Sequence, residues 1–305
     1  MAFRIRPSEP FDAEFRRVAE SQLRQAIAVL RDQPDGEHPA IHAARKRFKR
    51  LRALYRLVAS DAKAFSRREN DRMRDIGRSL SSVRDATALI ETVDYLAGLA
   101  VSPEEIAALG FASQALIDRR DRIAAAETDR AQTIDQAIAA CEEAIAALDM
   151  LDLPRGEGRT ARRLKRAFTK HGRKTKAALA ACRLAPDAEA FHDLRKCGQT
   201  GWMYLTLFAD LYPSALGALK RETKQLVDLL GHEHDLSVLT QTINESPELF
   251  GDGDTLALLL GAIITRQQAI REEALARAGT VVADHPKREG RIIGRLWLEA
   301  AEALS

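Results

Sequence analysis

A His-x-x-Arg-Lys pattern occurs twice in this chain, at His42, Arg45 and Lys46 and again at His192, Arg195 and Lys196, offset by 150 residues. Leu80, Asp85 and Leu89 map onto Leu230, Asp235 and Leu239 at the same offset and without a gap. Two motifs that keep one spacing argue for an internal duplication, so the chain has to fold as one kind of unit used twice.

The repeated unit is helical. Ala, Leu, Arg, Glu and Asp dominate, β-branched and aromatic residues are scarce, and no segment alternates as a half-buried strand does, so the fold class is all-α. With 305 residues, 46% of them apolar, the chain can bury a full core. The apolar period predicts helices over 11–32, 38–60, 62–80, 83–99 and 103–149, the last with a break near Gly110 or Thr128. Further helices are expected over 159–184, 187–211, 214–230, 234–244, 254–279 and 287–303, with Pro186, Pro213, Pro247 and Pro286 at helix starts or in the turns before them. Residues 151–158 hold Pro154, Gly156 and Gly158 and no periodicity, and read as the connection between a first half, 1–150, and a second, 159–305, of a single domain. Four or so helices per half imply two four-helix bundles related by a pseudo-two-fold axis. The N-terminal segment lacks the apolar core of a secretory signal and the run Leu256 to Thr265 is too short to span a bilayer, so a soluble, cytoplasmic protein is expected.

Charge is balanced overall and uneven locally. The formal net charge is only +3, yet residues 42–56 carry seven Lys or Arg and no acid, and residues 159–176 carry nine and no acid. At about 100° per residue, His42, Arg45, Lys46, Lys49, Arg52 and Arg56 share one third of a helical wheel. Ile41, Phe48, Leu51, Leu54, Tyr55 and Val58 take the opposite side. With no acid at i±4, a merely solvated face of this kind would repel itself along its length, and a bound anion relieves that repulsion. On the helix from 159, Arg162, Arg163, Arg166, Lys170 and Arg173 form a second stripe, while His171 falls on the apolar side as a core or boundary histidine. After His192, Arg195 and Lys196 the repeat loses charge, with Gln199, Trp202 and Thr206 at the equivalent positions. The cations of the two halves are therefore complementary, as a single shared site requires.

The segment LGHEHDLSVL offers His232, His234 and Asp235. Helical residues two apart point about 160° from one another, and no HExxH accompanies them, so a metal centre is disfavoured and one histidine is expected to reach the anion site. Asp85 and Asp235 are expected to cap a helix or to hold a basic side chain. No GxSxG, Gly-rich phosphate loop or acidic cluster for Mg²⁺ is present, so neither catalytic residues nor a cofactor are expected. Cys141, Cys182 and Cys197 lack CxxC spacing and suit reduced thiols.

At these motifs the chain resembles the CHAD family, the conserved histidine α-helical domain. The resemblance rests on HAARKRFKRLRALYRL at 42–57, SLSSVRDATALIETVDYL at 79–96, RAFTKHGRK at 166–174, HDLRKCGQTGWMYL at 192–205 and LGHEHDLSVL at 230–239. It implies two four-helix bundles about a basic central groove or pore, inorganic polyphosphate as ligand, and residence at polyphosphate granules. Carried over by position, the implied binding set is His42, Arg45, Lys46, Lys49, Arg50, Arg52 and Arg56, then Arg166, Lys170, Arg173 and Lys174, with His192, Arg195 and Lys196, and further Arg84, His232 and His234. Gln199 and Thr200 depart from the family pattern. The N-terminal ExExK signature of the triphosphatase domain fused to some members is missing, so a stand-alone, non-catalytic binder is implied.

Nucleic acid is the competing polyanion, disfavoured because few aromatics are left for base stacking. A phosphatase or polyphosphate hydrolase is the third reading. Phosphates beside His42 and His192 would favour the imidazolium, so binding is expected to tighten as pH falls from about 8 towards 6.

Overall fold

The apolar period of the sequence resolves into eleven α-helices and two short 3-10 turns, with no strand among the described residues. The computed structural model describes residues 3–127 and 129–303, and at position 82 the backbone alone. The helices are α1 (Phe11–Asp32), α2 (Glu37–Leu57), α3 (Lys63–Ser79), α4 (Ser82–Ala97), α5 (Pro103–Ala126) and α6 (Arg130–Asp149), then α7 (Glu157–Leu184), α8 (Ala188–Leu207), α9 (Pro213–Glu245), α10 (Gly253–Val281) and α11 (Pro286–Ala303). No helix among the described residues is long and apolar enough to cross a membrane.

Two boundaries differ from the sequence expectation. The long segment 103–149 breaks after Ala126, not at Gly110, which lies inside α5; Thr128, the other expected breakpoint, lies outside the described residues. The helices expected over 214–230 and 234–244 are one helix, α9. A mid-helix glycine such as Gly231 costs only about 1 kcal/mol, and the buried Leu230, Leu236 and Leu239 hold α9 to the core on both sides of it. Asp235 is consequently an interior helical residue and caps nothing.

The order of elements runs in parallel in the two halves. α1 packs on α2 as α7 packs on α8, and α1 packs on α6 as α7 packs on α11. The single helix α9 stands where the first half has α3 and α4. Corresponding helices also touch: α2 meets α8, α4 meets α9 and α5 meets α10. The buried side chains join the halves, since Phe15 and Tyr55 of the first share one cluster with Phe168, Phe208 and Trp297 of the second.

One buried ion pair fixes α7 against the first half. Arg163, counted above with the second basic stripe, is only 1% exposed; its Nε donates to Asp61, its Nη2 donates to the Pro154 carbonyl at 3.0 Å, and its guanidinium stacks over Phe11. Its place on the wheel borders the stripe, but the α1 and α2–α3 surfaces bury it. Asp61→Ala, which leaves that guanidinium buried without its counter-charge, is expected to lower unfolding free energy by about 3 kcal/mol. Arg24→Ala, which breaks the exposed pair with Glu20, should change it by less than about 1 kcal/mol. Denaturant titration of both variants measures the contrast.

Candidate functional site

α2 buries Phe48, Leu51, Leu54 and Tyr55 and so turns its cationic stripe outward, as the wheel requires. There it meets α7 and α8. Lys49, Arg52 and Arg56 of α2, Lys170 and Lys174 of α7, and Lys196 of α8 converge on a cleft of about 290 Å³. His171, Cys197, Gln199, Thr200, Met203 and Tyr204 complete the wall around them, with Ala59 and Ala167, and no carboxylate lines it. Thr200, one of the departures from the family pattern, accepts a hydrogen bond from Arg56 Nη1 at 3.1 Å. Beside its three lysines the second half thus contributes an uncharged polar stretch, Gln199 and Thr200, and Thr200 fixes a cation of the first half.

The two His-x-x-Arg-Lys motifs continue the cleft towards α4 and α9. Arg84 on α4 donates from Nε to His42 Nδ1 at 3.2 Å, which leaves the proton of the neutral ring on Nε2. Residue 234, at the equivalent place on α9, is a histidine, and its ring stacks on His192 with centroids 4.5 Å apart. Arg45 donates to the Gly77 carbonyl and lies 3.4 Å from Asp85; Arg195 is half-buried, and Asp235 followed by Glu233 offsets part of the cost of burying its charge. Asp85 therefore holds a basic side chain, while Asp235 acts on Arg195 through its charge alone. Lys46 is exposed, and Lys196 pairs with Asp193 at 2.9 Å. Of the two histidines on α9, His234 joins the cluster, whereas His232 stacks on Tyr95 of α4 at 4.5 Å.

Three residues expected in the set lie elsewhere. Arg50 turns to the other side of α2, its guanidinium over Phe3 and its Nη1 donating to Gln22 at 3.4 Å. Arg166 and Arg173 face α11 rather than the cleft. His171, expected as a core or boundary histidine, packs its ring edge-on against Tyr204 while it lines the cleft.

Helices packed in parallel order around a cation-lined cleft define an all-α protein with one concentrated positive site. The chain belongs to the CHAD domain family, whose model matches residues 16–244 and so ends within α9, leaving α10 and α11 outside the match. No curated protein matches the chain.

Burial, followed by the crowding of like charges, sets the protonation of the empty cleft. Burial, then Lys46 and Arg84, holds His42 below the ordinary imidazole value of 6.5; burial, then Lys196 and Arg195, does the same to His192. Burial, then Arg195, pushes His234 down to about 3, and burial takes His171 to about 4. These rings are mainly neutral at pH 7 in the empty cleft. The group that titrates just above neutrality is Lys49. It keeps an exposed surface, but the surrounding protein, then Arg195 and Arg45, brings it down to about 8 against the pull of Asp235 and Asp85. A bound anion favours the ammonium and raises that value. Affinity for tripolyphosphate should therefore be full below pH 8 and fall as pH rises towards the ordinary lysine value of 10.5. Lys49→Arg, charged throughout, should flatten the profile. Calorimetry at fixed ionic strength reads both, and a flat wild-type profile above pH 8 would remove Lys49 from ligand contact.

Proposed function

We propose that this protein binds inorganic polyphosphate in the cleft between α2, α7 and α8 without transforming it, and that this binding holds it at polyphosphate granules. The observation that carries the reading is the convergence of six Lys and Arg side chains from three helices on one cleft with no carboxylate in its lining. A condensed phosphate chain carries about one charge per phosphate and no bases, so Arg forks and Lys point charges spaced along a groove are what recognises it. The family's general association with polyphosphate supports the same ligand.

Two features favour a binder over a catalyst. Cys197 in the cleft wall is held as a thiol, since burial raises its pKa. The rings of His42, His192 and His234 lie among the cations Lys46, Arg84, Arg195 and Lys196, which together with burial disfavour their protonation. Nucleic acid is the weaker reading because Phe48 and Tyr55 are buried in the core, which leaves no exposed aromatic row in the cleft for bases to stack on.

Calorimetric titration with long-chain polyphosphate tests the proposal. Affinity should fall steeply with salt, with a log–log slope of roughly −4 if six cations engage at about −0.7 each, by analogy with single-stranded polyanions. Arg52→Glu should weaken binding tenfold or more, since losing a charge-assisted bond costs about 1.5–3 kcal/mol. No binding at modest salt would end the proposal, and sustained phosphate release would replace the binder with an enzyme.

A further inference from the structure

The cations that α7 turns away from the cleft have surroundings of their own. Lys165, Arg166 and Arg173 of α7 face Lys287 and Arg291 of α11 across a trough that also includes Lys170 and Thr169. We infer that this trough is a second track for a condensed phosphate chain, continuous with the cleft over the crest of α7. The inference rests on the proposed function and extends it to α11, a helix outside the family match.

Four observations carry it. None of the six cations makes a hydrogen bond or ion pair among the described residues, whereas much of the arginine elsewhere in the chain is paired. Second, Lys170 lines both the cleft and the trough. At about 100° per residue it sits on α7 between Lys174, which faces the cleft, and Arg166, which faces the trough, so the two rows of charge meet at one side chain.

Third, the two helices forming the trough are in backbone contact. A Cβ at Gly290 would come within 2.5 Å of the Lys165 carbonyl oxygen, and one at Gly294 within 2.9 Å of that of Ala161. Only with α11 this close do two rows of cations from separate helices make one channel. The acid in this stretch of α11, Glu289, is turned inward against Gly172 and leaves the row uncompensated.

Fourth, the fold does not produce such a trough by itself. α6, which occupies the place of α11 in the first half, carries Asp135, Glu142, Glu143 and Asp149, and the middle two pair with Arg31 and Arg72. The counterpart of α11 in the first half thus carries paired acids where α11 carries unpaired Lys287 and Arg291. A flexible phosphate chain can turn over the crest of a helix, whereas duplex nucleic acid, stiff over about 50 nm, cannot.

The test compares tripolyphosphate, short enough to fill the cleft alone, with long-chain polyphosphate, on wild type and on the double variant Lys287→Glu, Arg291→Glu. Tripolyphosphate affinity is expected to stay within twofold. Long-chain affinity is expected to fall tenfold or more, and its salt slope to become shallower by about 1.4, at about 0.7 per lost contact. Lys287→Gln, Arg291→Gln should fall between, and circular dichroism confirms that each variant is folded.

An unchanged long-chain affinity, or an equal loss for both ligands, overturns the track while leaving the cleft in place. A loss for single-stranded oligoribonucleotide that exceeds the loss for polyphosphate also overturns it. If wild type binds neither phosphate, the proposed function fails and the track falls with it.

Discussion

Positive charges crowded together without counter-ions are the constraint on which this structure turns. Burial, with Arg195 and Arg45 adding to it, brings the pKa of Lys49 down to about 8, and burial with the neighbouring cations lowers those of His42 and His192. Such an arrangement is unfavourable in isolation and persists only because the helices carrying it are held from behind. α2 buries Phe48, Leu51 and Tyr55 on its inner face, and α7 is tied to the first half through Arg163, Asp61 and Phe11. The apolar core supplies the free energy that the charged face consumes.

That arrangement prepares a site for an anion. The cations of the cleft do not have to be recruited from carboxylate partners before they meet a ligand, because few of them have such partners. The exceptions are informative. Asp85 and Asp235 act on Arg45 and Arg195, at the inner end, where a free guanidinium would be most heavily desolvated. Toward the outer end the neighbours are neutral, such as Thr200 beside Arg56. Charge is thus partly compensated at the inner end, and most of the outer cations are bare, Lys196 with its exposed partner Asp193 being an exception.

Much of this was legible in the sequence and some was not, for identifiable reasons. The inward and outward faces of α2 follow from spacing alone, because a 21-residue helix with a strict apolar stripe has one way to lie on a core. Arg50 shows the limit of the wheel: it lies just past the edge of the stripe, and the N-terminal segment carrying Phe3 draws it away, a contact no local pattern reveals. Arg163 borders its own stripe in the same way and is claimed by Asp61, about a hundred residues earlier in the chain. The split of α7 into a cleft-facing and a trough-facing row depends on α11 packing against it. Its sequence signal was the Gly290 and Gly294 pair four residues apart, which permits close approach without naming the partner helix. The choice between His232 and His234 required the stacking partners, since either spacing satisfied the periodicity.

The central claim, that the cleft holds cations at the expense of stability and that an anion relieves the strain, is tested most directly by thermal unfolding. The measurement compares wild type with a variant carrying Lys49→Gln, Lys170→Gln and Lys174→Gln, each with and without long-chain polyphosphate. Neutralising the cleft should raise the unfolding temperature of the free protein and abolish most of the rise that polyphosphate gives wild type. A variant that is less stable than wild type, or that polyphosphate stabilises as strongly, would contradict the account.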